Sequence, residues 1–243
     1  MGEYIRRFYR ENMRAAGLVS FQAVIKESDL FVFAQSDLAA EARASLARHR
    51  ADLEMFISRQ PRFGISYQPY TVPVDSPEVV RLMADSAWRV GVGPMAAVAG
   101  AIAELVGKDL VRLSPDVIVE NGGDIFIRSD TMRRVGIFAG DSPLSGRLAL
   151  RVSPTPPEGL GVCTSSATVG PSYSAGGADS AMVVAEGAAL ADAAASALGN
   201  RAKSPDHIAE ALTVVSAIDG VIGCLVIIGE HLGVRGDLQL ERL

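Results

Sequence analysis

Val117-Ile118-Val119-Glu120-Asn121-Gly122-Gly123-Asp124-Ile125-Phe126-Ile127 sets two adjacent glycines, flanked by polar and acidic residues, between two short apolar runs of β type. Glycine at such a point marks a tight turn, a bulge, or a place where a ligand or another backbone comes close. Asn-Gly and Gly-Gly between β-type runs are also the strongest short-range hairpin signal. On these residues alone a plain hairpin turn and a ligand-facing turn both stay open. Either way the stretch predicts strands over 117–119 and 124–128.

Upstream, Val19, Phe21, Ala23 and Ile25 alternate with polar residues, Lys26 to Asp29 supply a turn, and 30–34 reads as a second strand of a hairpin. Leu38, Ala42, Leu46, Leu53 and Phe56 then recur at helical spacing, which predicts an amphipathic helix capped by Ser36 and ending near Arg59, before Pro61. Another helix follows Ser76, with Pro77 at its first position, and runs to about Val90. The span 93–106 is small and apolar nearly all round, the mark of a helix buried on every side. Downstream, strands are expected at 134–138, 146–152, 181–185, 223–228 and 234–240, with a helix over 205–216 capped by Ser204. Strands come in adjacent runs and helices do not alternate with them, so the fold class is α+β: a largely antiparallel sheet with packed helices, in one domain over 1–243.

Two further segments are compositionally unusual. Between Glu158 and Asp179 the chain carries no charge and is rich in small and hydroxyl residues, beginning with Cys163-Thr164-Ser165-Ser166-Ala167-Thr168 and continuing through Gly170, Ser172, Tyr173, Ser174, Gly176 and Gly177. It is read as a loop. After it, residues 190–200 form an alanine-rich helix whose one carboxylate is Asp192, with Ser196 one turn on. A carboxylate and a hydroxyl at that spacing share one helix face and suit a hard, oxygen-seeking cation such as Mg²⁺. They equally suit a lone surface Asp and a Ser bonded to its own backbone. Thr164 and Ser165 offer uncharged hydroxyls and backbone N–H groups able to hold a nucleotide or flavin ring, or an ordinary Ser/Thr turn.

These segments together resemble the ApbE family of flavin transferases, in particular a shorter cytoplasmic branch of it. The family carries an asparagine-x-glycine-glycine-aspartate strand, a threonine-serine loop, and an alanine-aspartate helix with a hydroxyl one turn later. The resemblance covers most of the chain from about residue 90, where Val92 to Gly100 is similar to the branch's first core helix. It implies an ApbE-like fold that binds FAD or FMN with Mg²⁺ and transfers FMN from FAD to a Ser or Thr of a partner protein, or else binds the nucleotide without chemistry or hydrolyses its pyrophosphate. It further implies that Asp192 and Ser196 hold the metal and that Asn121, Gly122, Gly123 and Asp124 line the cofactor cleft with Thr164 and Ser165. By the same resemblance Gly93-Pro94-Met95 places backbone oxygen near the metal.

The chain departs from the family pattern in three places. Ser196 stands where threonine is usual, which keeps the oxygen. Ala97 replaces a lysine. The histidine-isoleucine-x-aspartate-proline stretch that follows the family's threonine-serine loop is absent, and Pro171-Ser172-Tyr173-Ser174-Ala175-Gly176-Gly177-Ala178-Asp179 stands instead. Proton removal from an acceptor hydroxyl then falls to Asp179, the one carboxylate nearby. His49, His207 and His231 lie outside every motif and read as surface or packing residues.

Composition excludes several other classes. A net charge of −5 with scattered basic residues predicts no nucleic-acid partner. The richest basic patch, Arg6, Arg7, Arg10 and Arg14, reads as a solvated terminal face or an anion site. The two cysteines, Cys163 and Cys224, supply no disulfide framework or zinc spacing and read as small buried residues. There is no apolar h-region after Met1, the myristoylation pattern fails at Arg6, and the longest uncharged apolar stretch, 90–103, is too short for a bilayer. A cytoplasmic protein with no membrane partner is the expectation, with a homo-oligomer left open. No Walker loop, zinc helix or G-x-S-x-G elbow is present.

Overall fold

Two glycines with positive φ, Gly122 at 72° and Gly123 at 104°, turn the chain tightly enough for Asn121 to pair directly with Asp124. That hairpin, formed by β3 (Val117–Asn121) and β4 (Asp124–Arg128), lies at the centre of the sheet. The protein is described here by a computed structural model covering residue 10 and residues 13–166 and 176–243. The predicted first hairpin is present as β1 (Val19–Ile25) and β2 (Ser28–Ala34), and β2 pairs with β3. Beyond β4 come β7 (Leu160–Ser165), β8 (Ser180–Ala185), β9 (Val221–Ile228) and β10 (His231–Gly236), giving the order β1-β2-β3-β4-β7-β8-β9-β10 with every pair antiparallel. A three-stranded sheet, β11-β6-β5, is built from β5 (Arg133–Gly136), β6 (Leu148–Val152) and β11 (Gln239–Arg242).

Strand alternation divides the core in two. Val117, Val119, Phe126, Cys163, Ala181 and Val183 point to one face, where α1 (Ala39–Arg59), α2 (Glu78–Val90), α3 (Val98–Val111), α4 (Ala188–Arg201) and α5 (Ile208–Ser216) pack. Ile118, Ile125, Ile127, Val162, Met182 and Val184 point to the other, together with apolar residues of the three-stranded sheet. The result is a mixed helix and antiparallel-sheet architecture, as expected. Among the described residues no single helix is long and apolar enough to cross a membrane.

Several boundaries differ from the sequence-based expectation. The segment read as a continuous uncharged loop contains β7, whose helix-facing positions Gly161, Cys163 and Ser165 are small. A Cβ on Gly161 would lie 2.4 Å from the Ala188 Cα, so α4 rests directly on the strand and leaves no room for the large apolar residues that would have announced it. The final expected strand is two, because Gly236, at φ 93°, turns the chain from the large sheet into the small one. Helix α1 starts at Ala39, whose N–H is taken by Asp37 Oδ1 at 3.0 Å, so Asp37 rather than Ser36 serves its first turn. Pro77 is the N-cap of α2. A 3₁₀ turn over Pro94–Ala97 precedes α3, and another over Pro205–His207 precedes α5, where the Ser204 hydroxyl pairs with His207 Nδ1 at 2.8 Å.

Candidate functional site

Helices α3 and α4 cross at Gly100, where an added Cβ would sit 2.1 Å from the Ala188 carbonyl oxygen and 2.7 Å from the Asp192 Cβ. Only glycine permits that approach. It brings the Asp192 carboxylate onto the start of α3, where Oδ2 accepts the Gly100 N–H at 2.9 Å and the Ala99 amide also contributes. These are amides with no partner inside their own helix, so Asp192 satisfies them from outside. The Ala99 carbonyl, one residue earlier, accepts a bond from Asn121 Nδ2 at 3.1 Å, which ties the β3–β4 hairpin to the same helix start.

Asp124 pairs with Asn121 across the turn and points to the same face of the sheet. It is buried, and its carboxyl receives the Thr164 backbone N–H and lies within reach of the Cys163 thiol. Burial first, then the charges of Asp192 and Glu120, hold the Asp124 proton well above the ordinary carboxylate range. Burial likewise pushes Asp192 up to about 7, against the opposing pull of the Gly100 and Ala99 amides. Cys163, whose thiol lies 3.3 Å from the Ala188 carbonyl, is raised by burial and by the nearby Asp124 charge. None of the ion pairs among the described residues involves Asp124 or Asp192.

Helix α4 is buried at every position from Ala188 to Gly199 except Asp192 and Ser196, which therefore share the one stripe that opens away from the core. Met95, in the 3₁₀ turn before α3, is half-buried against the helix-side core. Among the described residues no group of three or more His, Cys, Asp or Glu side chains is arranged to hold a metal ion. A cation here would have two carboxylates and would complete its shell with neutral oxygen, which is what Mg²⁺ accepts.

A family model described as AbpE bacteria matches residues 10–219. The chain belongs to this ApbE-like family. The UPF0280 protein of Methanocella arvoryzae is 42% identical over 215 residues, covering 88% of this chain and 87% of the relative. That of Methanosarcina acetivorans is 40% identical over 239 residues, with 97% and 93% covered. Among solved structures, the flavin transferase ApbE from Vibrio cholerae superposes with a TM-score of 0.61 at 11% identity, covering 93% of this chain and 96% of that one. The apo flavinyl transferase ApbE of Pseudomonas stutzeri gives 0.57 at 14% identity, with 90% and 94% covered. At such identities the shared property is the ApbE fold.

Within this ApbE-like fold the motifs converge unevenly. Asn121, the glycine turn, Asp124, Ser165, Asp192 and the Ala99–Gly100 backbone come to one end of the sheet on its helix side. Thr164 falls on the opposite side by strand alternation, and it is its backbone N–H that reaches Asp124. Asp179 precedes β8 at the same sheet end, but two strands from Asp124 and four residues beyond Val183, the β8 position in register with it, so strand geometry sets their backbones on the order of 15 Å apart. Its Oδ2 accepts the Gly229 N–H at 2.7 Å, which ties it to the β9–β10 turn. Residues 167–175, which include much of the hydroxyl-rich stretch, lie outside the described residues, as do Arg6 and Arg7.

Two participants escaped the sequence reading. Cys163 has the smallness of a core residue but lies beside Asp124. Arg10 is no solvated terminal residue: it is buried at 7% exposure and paired with Asp29 and Glu120. The available signal was Glu120, a carboxylate inside an otherwise apolar strand, which needs a cationic partner once buried.

Proposed function

We propose that this protein binds a flavin nucleotide, FAD or FMN, with Mg²⁺ at the helix side of the Gly122–Gly123 turn, and transfers FMN from FAD to a Ser or Thr hydroxyl of a partner protein. The observation that carries this reading is the facing pair of carboxylates, the buried Asp124 and the partly buried Asp192. The charge of Asp192 raises the cost of ionising Asp124, no ion pair among the described residues involves either carboxylate, and a divalent cation would relieve that cost. Asp192 and Ser196 would hold the metal, with Asp124 as a second anionic oxygen. Asn121, the glycine turn, the Thr164 backbone, Ser165 and the backbone near Met95 would hold the nucleotide. Mg²⁺, when bound, supplies charge neutralisation for a pyrophosphate.

In the transfer the acceptor oxygen bonds to the FMN phosphorus, the pyrophosphate bond to AMP breaks, and the hydroxyl proton passes to a base. Asp179 is the base this reading assigns. The bond from Gly229 N–H to Asp179 Oδ2 favours a second reading, in which the cleft binds a flavin nucleotide and carries out no transfer, because that oxygen is already engaged by the β9–β10 turn.

Incubation with FAD, Mg²⁺ and a Ser/Thr acceptor peptide, followed by mass spectrometry, separates these outcomes. FMN-modified peptide with free AMP supports transfer. AMP with free FMN means that water is the acceptor. Tight binding without either product leaves the binding protein, and no binding of FAD or FMN with Mg²⁺ overturns the reading.

A further inference from the structure

On the face of the large sheet opposite the helices, one arginine from the start of the chain grips the back of the glycine turn. Arg10 Nη1 donates to Asp29 Oδ1 at 2.7 Å, Nη2 to the Asp29 carbonyl at 2.7 Å, and Nε to Glu120 Oε2 at 2.6 Å. Its guanidinium carbon lies 5.6 Å from the centroid of the Phe31 ring. Glu120 is 1% exposed, and its other oxygen, Oε1, accepts the Gly123 N–H at 2.8 Å. Arg10, Glu120 and Gly123 therefore form one continuous hydrogen-bonded line, from a residue 110 positions upstream of Glu120 to the tip of the hairpin.

The line has a mechanical consequence. Charge-assisted bonds from a guanidinium fix both the place and the rotamer of a carboxylate. Glu120 so fixed keeps the Gly123 amide in the turn that sets Asn121 on the start of α3 and Asp124 near Asp192. A buried carboxylate stripped of its cation is strongly disfavoured and would turn away, releasing Gly123.

We propose that Arg10 is a positioning residue of the ligand site, a latch that fastens the Gly122–Gly123 turn from the far face of the sheet and keeps Asn121 and Asp124 set for ligand. The latch rests on the assignment of this turn to the flavin site, and its first test needs no ligand. Hydrogen exchange of the unliganded protein, read by mass spectrometry, should show the segment containing Gly123 exchanging at least about tenfold faster in Arg10→Ala, with α4 unchanged. Arg10→Lys, which keeps the charge but loses the fork, should fall between. Asp109→Asn, which loosens the distant contact among Ser45, His49 and Asp109, should lower Tm without moving Gly123.

In the second arm, calorimetry with FAD and Mg²⁺ well below Tm should show about a tenfold weaker affinity for Arg10→Ala, with partial rescue by Arg10→Lys. If Arg10→Ala does not fold, Arg10→Lys and Glu120→Gln carry both comparisons. Unchanged Gly123 exchange in the arginine variants overturns the latch. Faster exchange with unaltered flavin affinity overturns its role in positioning ligand. A wild-type protein that binds no flavin defeats the flavin assignment alone, and the exchange arm still decides the latch.

Discussion

Asp124 on β4 and Asp192 on α4 meet across the interface of sheet and helices closely enough for the charge of Asp192 to raise the proton affinity of Asp124. Their backbones arrive there for unrelated reasons. Asp124 leaves a two-glycine turn, whereas Asp192 is delivered by a helix crossing that tolerates no side chain at Gly100. Two packing constraints thus place two carboxylates together, and the proposed metal site follows from that coincidence.

Substituting Asp192→Asn separates its two duties. The amide oxygen can still accept the Gly100 N–H, so folding should change little, but an anionic ligand becomes neutral. Mg²⁺ affinity, measured by calorimetry with FAD or FMN present, should fall on the order of 10- to 100-fold. Asp192→Ala should lose the bonds to the start of α3 as well and cost about 1 kcal/mol in denaturant unfolding. Equal Mg²⁺ affinity in wild type and Asp192→Asn would remove Asp192 from the metal site.

The raised proton affinity of Asp192 fixes the sign of a pH effect. Its value in the fold is about 7, against an ordinary 3.8, so between those values the folded protein holds a proton that the unfolded chain has released. Stability should then fall as pH rises from about 4 to 7, by about 1–4 kcal/mol from this group, and level off above. Asp109 and Asp116, both lowered, have the opposite sign and lose their contribution only as pH falls through the acid range. Urea unfolding at a series of pH values should show the decline in wild type and a flatter profile in Asp192→Asn. Saturating Mg²⁺ should flatten it too, because the cation replaces the proton. Stability that instead rises through this window would contradict a protonated Asp192.

Two glycines should fail in different ways. Gly100→Ala would drive a methyl into the Ala188 carbonyl, a backbone atom that cannot step aside, and should cost about 1–3 kcal/mol as α3 and α4 separate. Gly123→Ala meets only the Thr164 carbonyl oxygen at 3.8 Å, so its cost, about 1–2 kcal/mol, comes from φ at 104°. With a ligand lying over the turn, Gly123→Ala should also weaken flavin binding beyond what the change in Tm explains. Reduced Tm with unchanged flavin affinity would leave Gly123 as a hairpin turn and nothing more.

Most of the architecture is written in local pattern. The alternation of 19–25, the helical spacing from Leu38 to Phe56 and the glycine pair each reflect a single element meeting a single core face. What was hidden depended on a second element. Strand β7 is obscured because α4 lies on Gly161 and forces small residues where alternation would show. The Arg10–Glu120 pair joins positions 110 apart, and one arginine of a four-arginine patch carries no mark of its partner. Within the site, Asn121, Asp124 and Asp192 were legible as types of donor. The Asp192 contact with the start of α3 and the opposite orientation of Thr164 required the crossing angle and the strand register.

Asp179 permits the sharpest test of chemistry against structure, because its two possible roles respond differently to one atom. As the acceptor of the Gly229 N–H it needs only an oxygen, which Asn supplies. As the base for an acceptor hydroxyl it needs a protonatable carboxylate, which Asn lacks. If Asp179 takes the proton, Asp179→Asn should keep the wild-type Tm and flavin affinity while FMN transfer to a Ser/Thr peptide falls by about 10²- to 10⁴-fold. If it serves the β9–β10 turn alone, Asp179→Asn should transfer at the wild-type rate, and Asp179→Ala should lose about 1 kcal/mol of stability by leaving the Gly229 amide without that bond. Single-turnover assays with saturating FAD and Mg²⁺, set beside thermal melts of both variants, distinguish the cases. Full transfer by a well-folded Asp179→Asn variant would move the proton to another acceptor.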